Sequence, residues 1–168
     1  MKRFPLSKTL SAVVLAAAAI VLSACGFTPL YGPQSVTKGL SAIEVVAPPG
    51  RAGYLLREKL DDAFGRDVGL PPSHRLTYTV SEQRYPRGVR VDNVANRYEL
   101  SLTANWALID VKTGKPVRTG ATTAAVTYDS ADQPYASIAA QEDSQERAAT
   151  ELARRIQLEL ATWLAGKA

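Results

Sequence analysis

Three groups of residues in this sequence could do chemistry: one thiol, one imidazole and one knot of guanidiniums. The thiol is Cys25, the only cysteine. It closes the run Leu22-Ser23-Ala24-Cys25, where small residues leave an apolar segment. That arrangement exposes the peptide bond between Ala24 and Cys25 to a signal peptidase. The thiol can then carry a lipid, and the new amino group offers a second acylation point. The imidazole is His74, the only histidine. A base needs a nucleophile and an orienting carboxylate around it, and Pro71-Pro72-Ser73-His74 shows no such grouping. One histidine and no second thiol leave zinc without a ligand set. Neither a Gly-x-Ser-x-Gly elbow, a P-loop nor a dinucleotide fingerprint is present. Asp61-Asp62 and Glu142-Asp143 are adjacent carboxylates on predicted helices, where neighbours point about 100° apart, so they read as solvated faces. The sequence therefore predicts no catalytic residue, no metal site and no cofactor beyond a covalent lipid on Cys25. The guanidiniums are Arg84, Arg87, Arg90 and Arg97, with Asp92 the one acid among them. A planar guanidinium donates paired hydrogen bonds to phosphate or carboxylate. Tyr85, Val89 and Val91 add apolar surface beside the charge. Such a segment suits an anionic amphiphile or the polar wall of a protein partner; it equally suits a solvated loop whose charge keeps it soluble.

The elements that position these groups begin with residues 1–24. Lys2, Arg3 and Lys8 form a positive start, and Leu10 to Leu22 carries no charge. A spanning helix needs about 20 apolar residues, so this run is short for an anchor and reads as a signal. With Cys25 after Ser23-Ala24, and Leu22 three positions before it, the stretch resembles the bacterial lipoprotein signal. The other readings are a plain secretory signal and an uncleaved anchor. Lys2, Arg3 and Lys8 supply three of the formal net charge of +4, so the mature chain is near neutral and nucleic acid is not an expected partner. With Cys25 lipidated there is no disulfide framework.

Residues 25–39 hold Gly26-Phe27-Thr28-Pro29-Leu30-Tyr31-Gly32-Pro33 and lack a steady apolar period, which predicts a lipidated tether. Phe27, Leu30 and Tyr31 suit a membrane interface, a partner or local packing on the domain. Residues 40–168 read as one domain. Ile43, Val45 and Val46 make a short strand that Pro48-Pro49-Gly50 ends. Leu56, Leu60, Ala63 and Phe64 share one stripe of a helix over 52–64, closed by Gly65. Strict alternation predicts strands over 75–82, 98–109 and 117–128, with Gly114 in the last turn. A helix follows Pro134, with Ser137 as a candidate cap; it either exceeds twenty residues or breaks near Asp143-Ser144. The order β-α-β-β-β-α predicts an α+β two-layer sandwich, with two helices packed on one face of a small, mostly antiparallel sheet whose other, threonine-rich face is wet.

Three stretches resemble a known family. Cys25-Gly26-Phe27-Thr28-Pro29-Leu30-Tyr31 is similar to the lipidated start of the lipopolysaccharide-assembly lipoprotein family LptE, in its alphaproteobacterial branch. Arg97-Tyr98-Glu99-Leu100-Ser101-Leu102-Thr103-Ala104 resembles that family's central strand. Pro134-Tyr135-Ala136-Ser137-Ile138-Ala139-Ala140-Gln141-Glu142-Asp143 with Arg147-Ala148 resembles the opening of its last helix. The resemblance implies the same two-layer sandwich and no active site. It implies a lipid-anchored protein of the cell outer membrane, on the periplasmic side, that plugs and helps assemble an LptD-type β-barrel lipopolysaccharide translocon. Gly26, where inner-membrane lipoproteins of enterobacteria carry Asp, fits export to the outer membrane. Some members are proposed to contact lipopolysaccharide directly through basic residues. Arg84, Arg87, Arg90 and Arg97 are candidates for lipopolysaccharide or partner contact through their clustering alone. The competing expectation is a free, periplasm-facing ligand-binding or transport-auxiliary lipoprotein.

Overall fold

The structure is a computed structural model that describes residues 34–89, 95–130 and 133–166. Cys25, the signal and Arg90 lie outside the described residues. The elements in chain order are α1 (Gln34–Ser41), β1 (Ile43–Val46), α2 (Arg51–Phe64), β2 (His74–Val89), β3 (Ala95–Asp110), β4 (Pro116–Asp129) and α3 (Pro134–Ala165). The strands form one sheet in the order β1-β2-β3-β4; β1 runs parallel to β2, and the other pairs are antiparallel.

Alternation in the strands decides the layers. In β3, Leu100, Leu102, Ala104, Trp106 and Leu108 are buried. Across the ladders they meet Leu76, Tyr78 and Val80 of β2 and Thr122, Ala124 and Val126 of β4. This face takes all the helices: Leu56, Leu60 and Phe64 of α2 and Leu152, Ile156 and Leu160 of α3 join the same core. The opposite face carries no helix among the described residues, and its side chains are exposed or half-buried. The expected sandwich is therefore present.

The sequence reading needs correction over residues 34–39, which belong to a helix and not to a tether. Val36 and Leu40 lie one turn apart in α1, and both are buried. Gly39 lets α1 approach α3 so closely that a Cβ there would lie 3.0 Å from a methyl of Leu164. Eight residues are too few to sustain a helix alone; docking on α3 holds it. Among the described residues the order is thus α-β-α-β-β-β-α, with three helices on the covered face.

β2 runs seven residues past its expected end, straight through Pro86. In the β2–β3 ladder the odd-numbered residues of β2 face β3, as the bond from Val111 N–H to the carbonyl of Ser73 shows. Pro86 is even-numbered, so its missing N–H points to the open edge and costs no ladder bond. In α3, Gln133 precedes the first turn and Pro134 occupies it, so Ser137 is not the cap. Its Oγ instead lies 2.8 Å from Ser130 Oγ. No break occurs at Ser144, which is buried and donates to the carbonyl of Gln141 at 2.7 Å. The helix is 32 residues long, roughly 48 Å at 1.5 Å per residue. Gly65 closes α2 at φ 58°, and Gly114 takes φ 67° in the β3–β4 turn, both as expected.

Candidate functional site

α2 spans only part of the sheet, so β2 and β3 project beyond its start as a hairpin, covered on one side by the opening turns of α3. Three of the four arginines singled out from the sequence stand here, and the pleat divides them. Arg84 shares the helix-facing side with Glu82 and reaches α3, donating to Gln141 Oε1 at 2.8 Å. Gln145 holds Glu82 in the same way, at 2.8 Å. Arg87 and Arg97 act on the open side. Arg87 forks onto both oxygens of Glu99, at 3.1 and 2.8 Å, and its guanidinium carbon lies 6.0 Å from the centre of the Tyr85 ring. Arg97 donates to Asp129 at 2.7 and 3.4 Å. Behind them Tyr98 and Tyr128 stack, with centroids 5.7 Å apart.

The sequence reading missed the acids. Glu99 and Asp129 lie outside the loop but arrive through strand register: Tyr85 pairs with Glu99, and Arg97 pairs with Asp129. Each described arginine at the tip has an acidic or amide partner, so this end presents structured, locally neutral pairs. Hydrogen bonds from Arg87 hold the Glu99 carboxyl below its usual range, and Arg97 does the same for Asp129. A depressed folded pKa stabilises the paired form above the unfolded pKa, and that contribution disappears as pH falls through the folded value. The contribution should therefore shrink as pH falls through the free-carboxyl range, about pH 4, and both arginines should be released below it, where the paired carboxyls take up protons. NMR titration of Glu99 and Asp129 with amide exchange of residues 95–100 would show this as coincident protonation and faster exchange; protection unchanged down to pH 2 would dissociate the pairs from the stability of the tip.

His74, the sequence's one imidazole, opens β2. Its Nδ1 lies 2.9 Å from Ser73 Oγ, and its ring meets Trp163 edge-on at 5.6 Å. Asp110 stands opposite in the ladder, but its Oδ1 accepts the N–H of Thr113 in the turn. Among the described residues no three His, Cys, Asp or Glu side chains converge to hold a metal ion, and no helix is long and apolar enough to cross a membrane.

The open sheet face forms the second part of the site. Thr77, Thr79, Ser81 and Gln83 of β2 stand beside Ser101, Thr103, Asn105 and Ala107 of β3; Thr119, Ala121, Thr123, Ala125 and Thr127 of β4 complete it. The side chains are short and uncharged, and Thr103 and Thr123 share a hydrogen bond at 2.9 Å. A depression of about 510 Å³ lies open on this face, beside Thr77, Thr79, Asn105 and Thr119. The platform is hydrophilic without bearing net charge.

Against known proteins, the model of the family described as LptE, lipopolysaccharide-assembly, matches residues 39–160. A Caulobacter crescentus protein described as a lipoprotein is 62% identical; the match covers 79% of this chain and 97% of that one, with a TM-score of 0.70. A minor lipoprotein from Acinetobacter baumannii shares the fold at 15% identity, over 71% of this chain and 88% of that one, with a TM-score of 0.51. None of the curated proteins matches this chain. The family match spans the domain from the end of α1 into the last turns of α3, and on that ground the chain belongs to the LptE family of lipopolysaccharide-assembly proteins.

Proposed function

We propose that this protein is a non-enzymatic lipoprotein of the outer membrane, anchored through lipid on Cys25, that plugs and helps assemble the β-barrel through which lipopolysaccharide reaches the cell surface. The observation that carries the reading is the uncharged, hydroxyl-rich sheet face. The lumen of an outer-membrane barrel is polar and wet. A face of short Thr, Ser and Asn side chains can exchange hydrogen bonds with water for hydrogen bonds with such a wall, with no charge to desolvate. The hairpin tip adds Arg–carboxylate pairs that can trade partners. Lipopolysaccharide phosphates compete for Arg87 and Arg97 as charge-assisted acceptors. A free ligand-binding lipoprotein would call for an enclosed pocket, whereas the depression on this face lies open.

The test is purification of the natively lipidated chain, tagged at its C-terminus, from detergent-solubilised envelopes. A stoichiometric β-barrel protein of translocon size is expected by mass spectrometry. Recovery of the chain alone, under extraction that preserves other barrel complexes, would replace this reading with the free module.

A further inference from the structure

Among the described residues the sheet has two long open edges, and they are treated differently. β1 is four residues long, so the upper half of β2 is one edge. That edge carries Pro86, which removes a donor, and the charged Glu82 and Arg84 on the residues whose backbone faces outward. Natural sheets blunt their edges in this way against unwanted pairing. The other edge is β4. It is 14 residues long, against about 5–6 for an ordinary strand. From Thr119 to Tyr128 it has no charge and no proline.

The orientation of its backbone groups follows from the ladder. Ser130 N–H donates to the carbonyl of Asn96 at 2.9 Å, in register with β3–β4. The even-numbered residues of β4 therefore turn their N–H and C=O groups to β3, and the odd-numbered ones turn theirs outward. Thr119, Ala121, Thr123, Ala125 and Thr127 present a row of donors and acceptors at the spacing of an extended chain. One side chain interrupts the row. Arg155 of α3 leans over the edge and donates to the carbonyl of Thr123 at 2.7 Å. Glu151 holds Arg155 at 2.7 Å and Arg154 at 2.9 Å, and its carboxyl is pulled down to about 2 by these two arginines.

We propose that the open edge of β4 is a strand-pairing rail, covered at rest by Arg155, and that its occupant is an extended, acid-bearing segment of the β-barrel partner. This rests on the barrel reading above. Strand addition supplies affinity through main-chain hydrogen bonds, and side chains alongside set specificity. On the open side of the sheet the neighbours are small and uncharged, so they exclude little. On the helix side the guanidinium of Arg155 stands at the edge itself, against the Thr123 carbonyl, and a guanidinium there favours an acid in the incoming strand. A carboxylate of the incoming strand takes Arg155 from the Thr123 carbonyl, which frees that acceptor for the new ladder. A second copy is disfavoured, because symmetric pairing about Thr123 brings two Arg155 guanidiniums to one seam. The wall strands of a closed barrel are already paired on both sides, so the donor is a loop or terminal segment that reaches the lumen.

The decisive experiment is amide hydrogen exchange on the full lipidated chain, alone and in the complex purified from envelopes. In the complex, Ala121, Thr123, Ala125 and Thr127 should exchange at least tenfold more slowly than in the chain alone. Ala121→Pro and Ala125→Pro remove only outward-facing N–H groups, so they should keep the melting temperature of the parent yet reduce barrel recovery at least tenfold. Barrel present with these amides unprotected overturns the rail and leaves the plug reading standing. No barrel with these amides unprotected overturns both. Protection without a barrel assigns the edge to another occupant and overturns the one proposed.

Discussion

Trp106→Ala should lower the unfolding free energy by about 3–5 kcal/mol, the range for deleting a large buried aromatic. Trp106 is 3% exposed and lies at the centre of the sheet. Its ring covers Gly120, where a Cβ would stand 2.4 Å from Cζ2 and 2.7 Å from Cε2. The indole N–H donates to Thr122 Oγ1 at 2.9 Å, and that hydroxyl donates to Glu159 Oε1 at 2.8 Å. One side chain thus fills the space over β4, keeps a buried threonine supplied and ties the sheet to α3. Removing it leaves a cavity and takes away the donor to Thr122, two losses that overlap and do not sum. Urea unfolding followed by far-UV circular dichroism measures the cost; a loss under about 1 kcal/mol would mean that the ring is not packed as described. A double-mutant cycle sharpens the test. Gly120→Ala should cost about 1–3 kcal/mol alone, as overpacking does. In the Trp106→Ala background the added methyl meets open space, so its cost should largely vanish. Equal costs in both backgrounds would show that the two positions do not touch.

That contact also illustrates what the sequence reveals and what it hides. Alternation from Tyr98 to Ile109 is enough to place Trp106 on the buried face, because period-two burial is local information. The same holds for the α2 stripe of Leu56, Leu60 and Phe64. Gly120 beneath the ring is not legible, since it depends on which residue of β4 stands opposite. Register hides the chemistry of the tip in the same way. The arginines are visible as a cluster, but the carboxylates that fork onto them come from 12 and 32 residues away. α1 is hidden for a different reason. Two apolar residues in eight make a helix only because α3 offers a surface for them, and no local period records that. Pro86 reads as a strand breaker until its neighbours show that its nitrogen faces an open edge.

Charge and backbone then divide the labour across the molecule. At pH 7 the tip is locally neutral and hydrogen-bonded, so a phosphate must displace a carboxylate to bind there. The open face has no charge to offer and competes through hydroxyls alone. Arg155 instead brings a guanidinium to the β4 edge, which carries no proline or charge from Thr119 to Tyr128.

Replacing Cys25 by alanine behind a plain cleavable secretory signal should move the protein from the membrane pellet to the soluble periplasmic fraction. The expectation comes from lipid burial. Each buried CH₂ contributes about 0.8 kcal/mol, and a single acyl chain binds only marginally, near 10⁴ M⁻¹. Two or three chains on one residue hold a small domain to the bilayer almost permanently, and among the described residues no helix is long and apolar enough to cross a membrane. Membrane retention should fall by about tenfold or more, scored by fractionation in a strain depleted of the barrel partner so that protein contacts do not mask the loss. The signal must be exchanged along with the cysteine, since an uncleaved native signal would itself hold the chain. The fold should not change. Among the described residues the buried core runs from Val36 to Ala161, so the soluble variant should melt as the lipidated protein does. Undiminished pelleting of a folded Cys25→Ala protein would place the membrane affinity in the domain itself. An unfolded one would mean that the sandwich needs its anchor or its partner to form, and the lumen-filling role would then include folding the plug as well as the barrel.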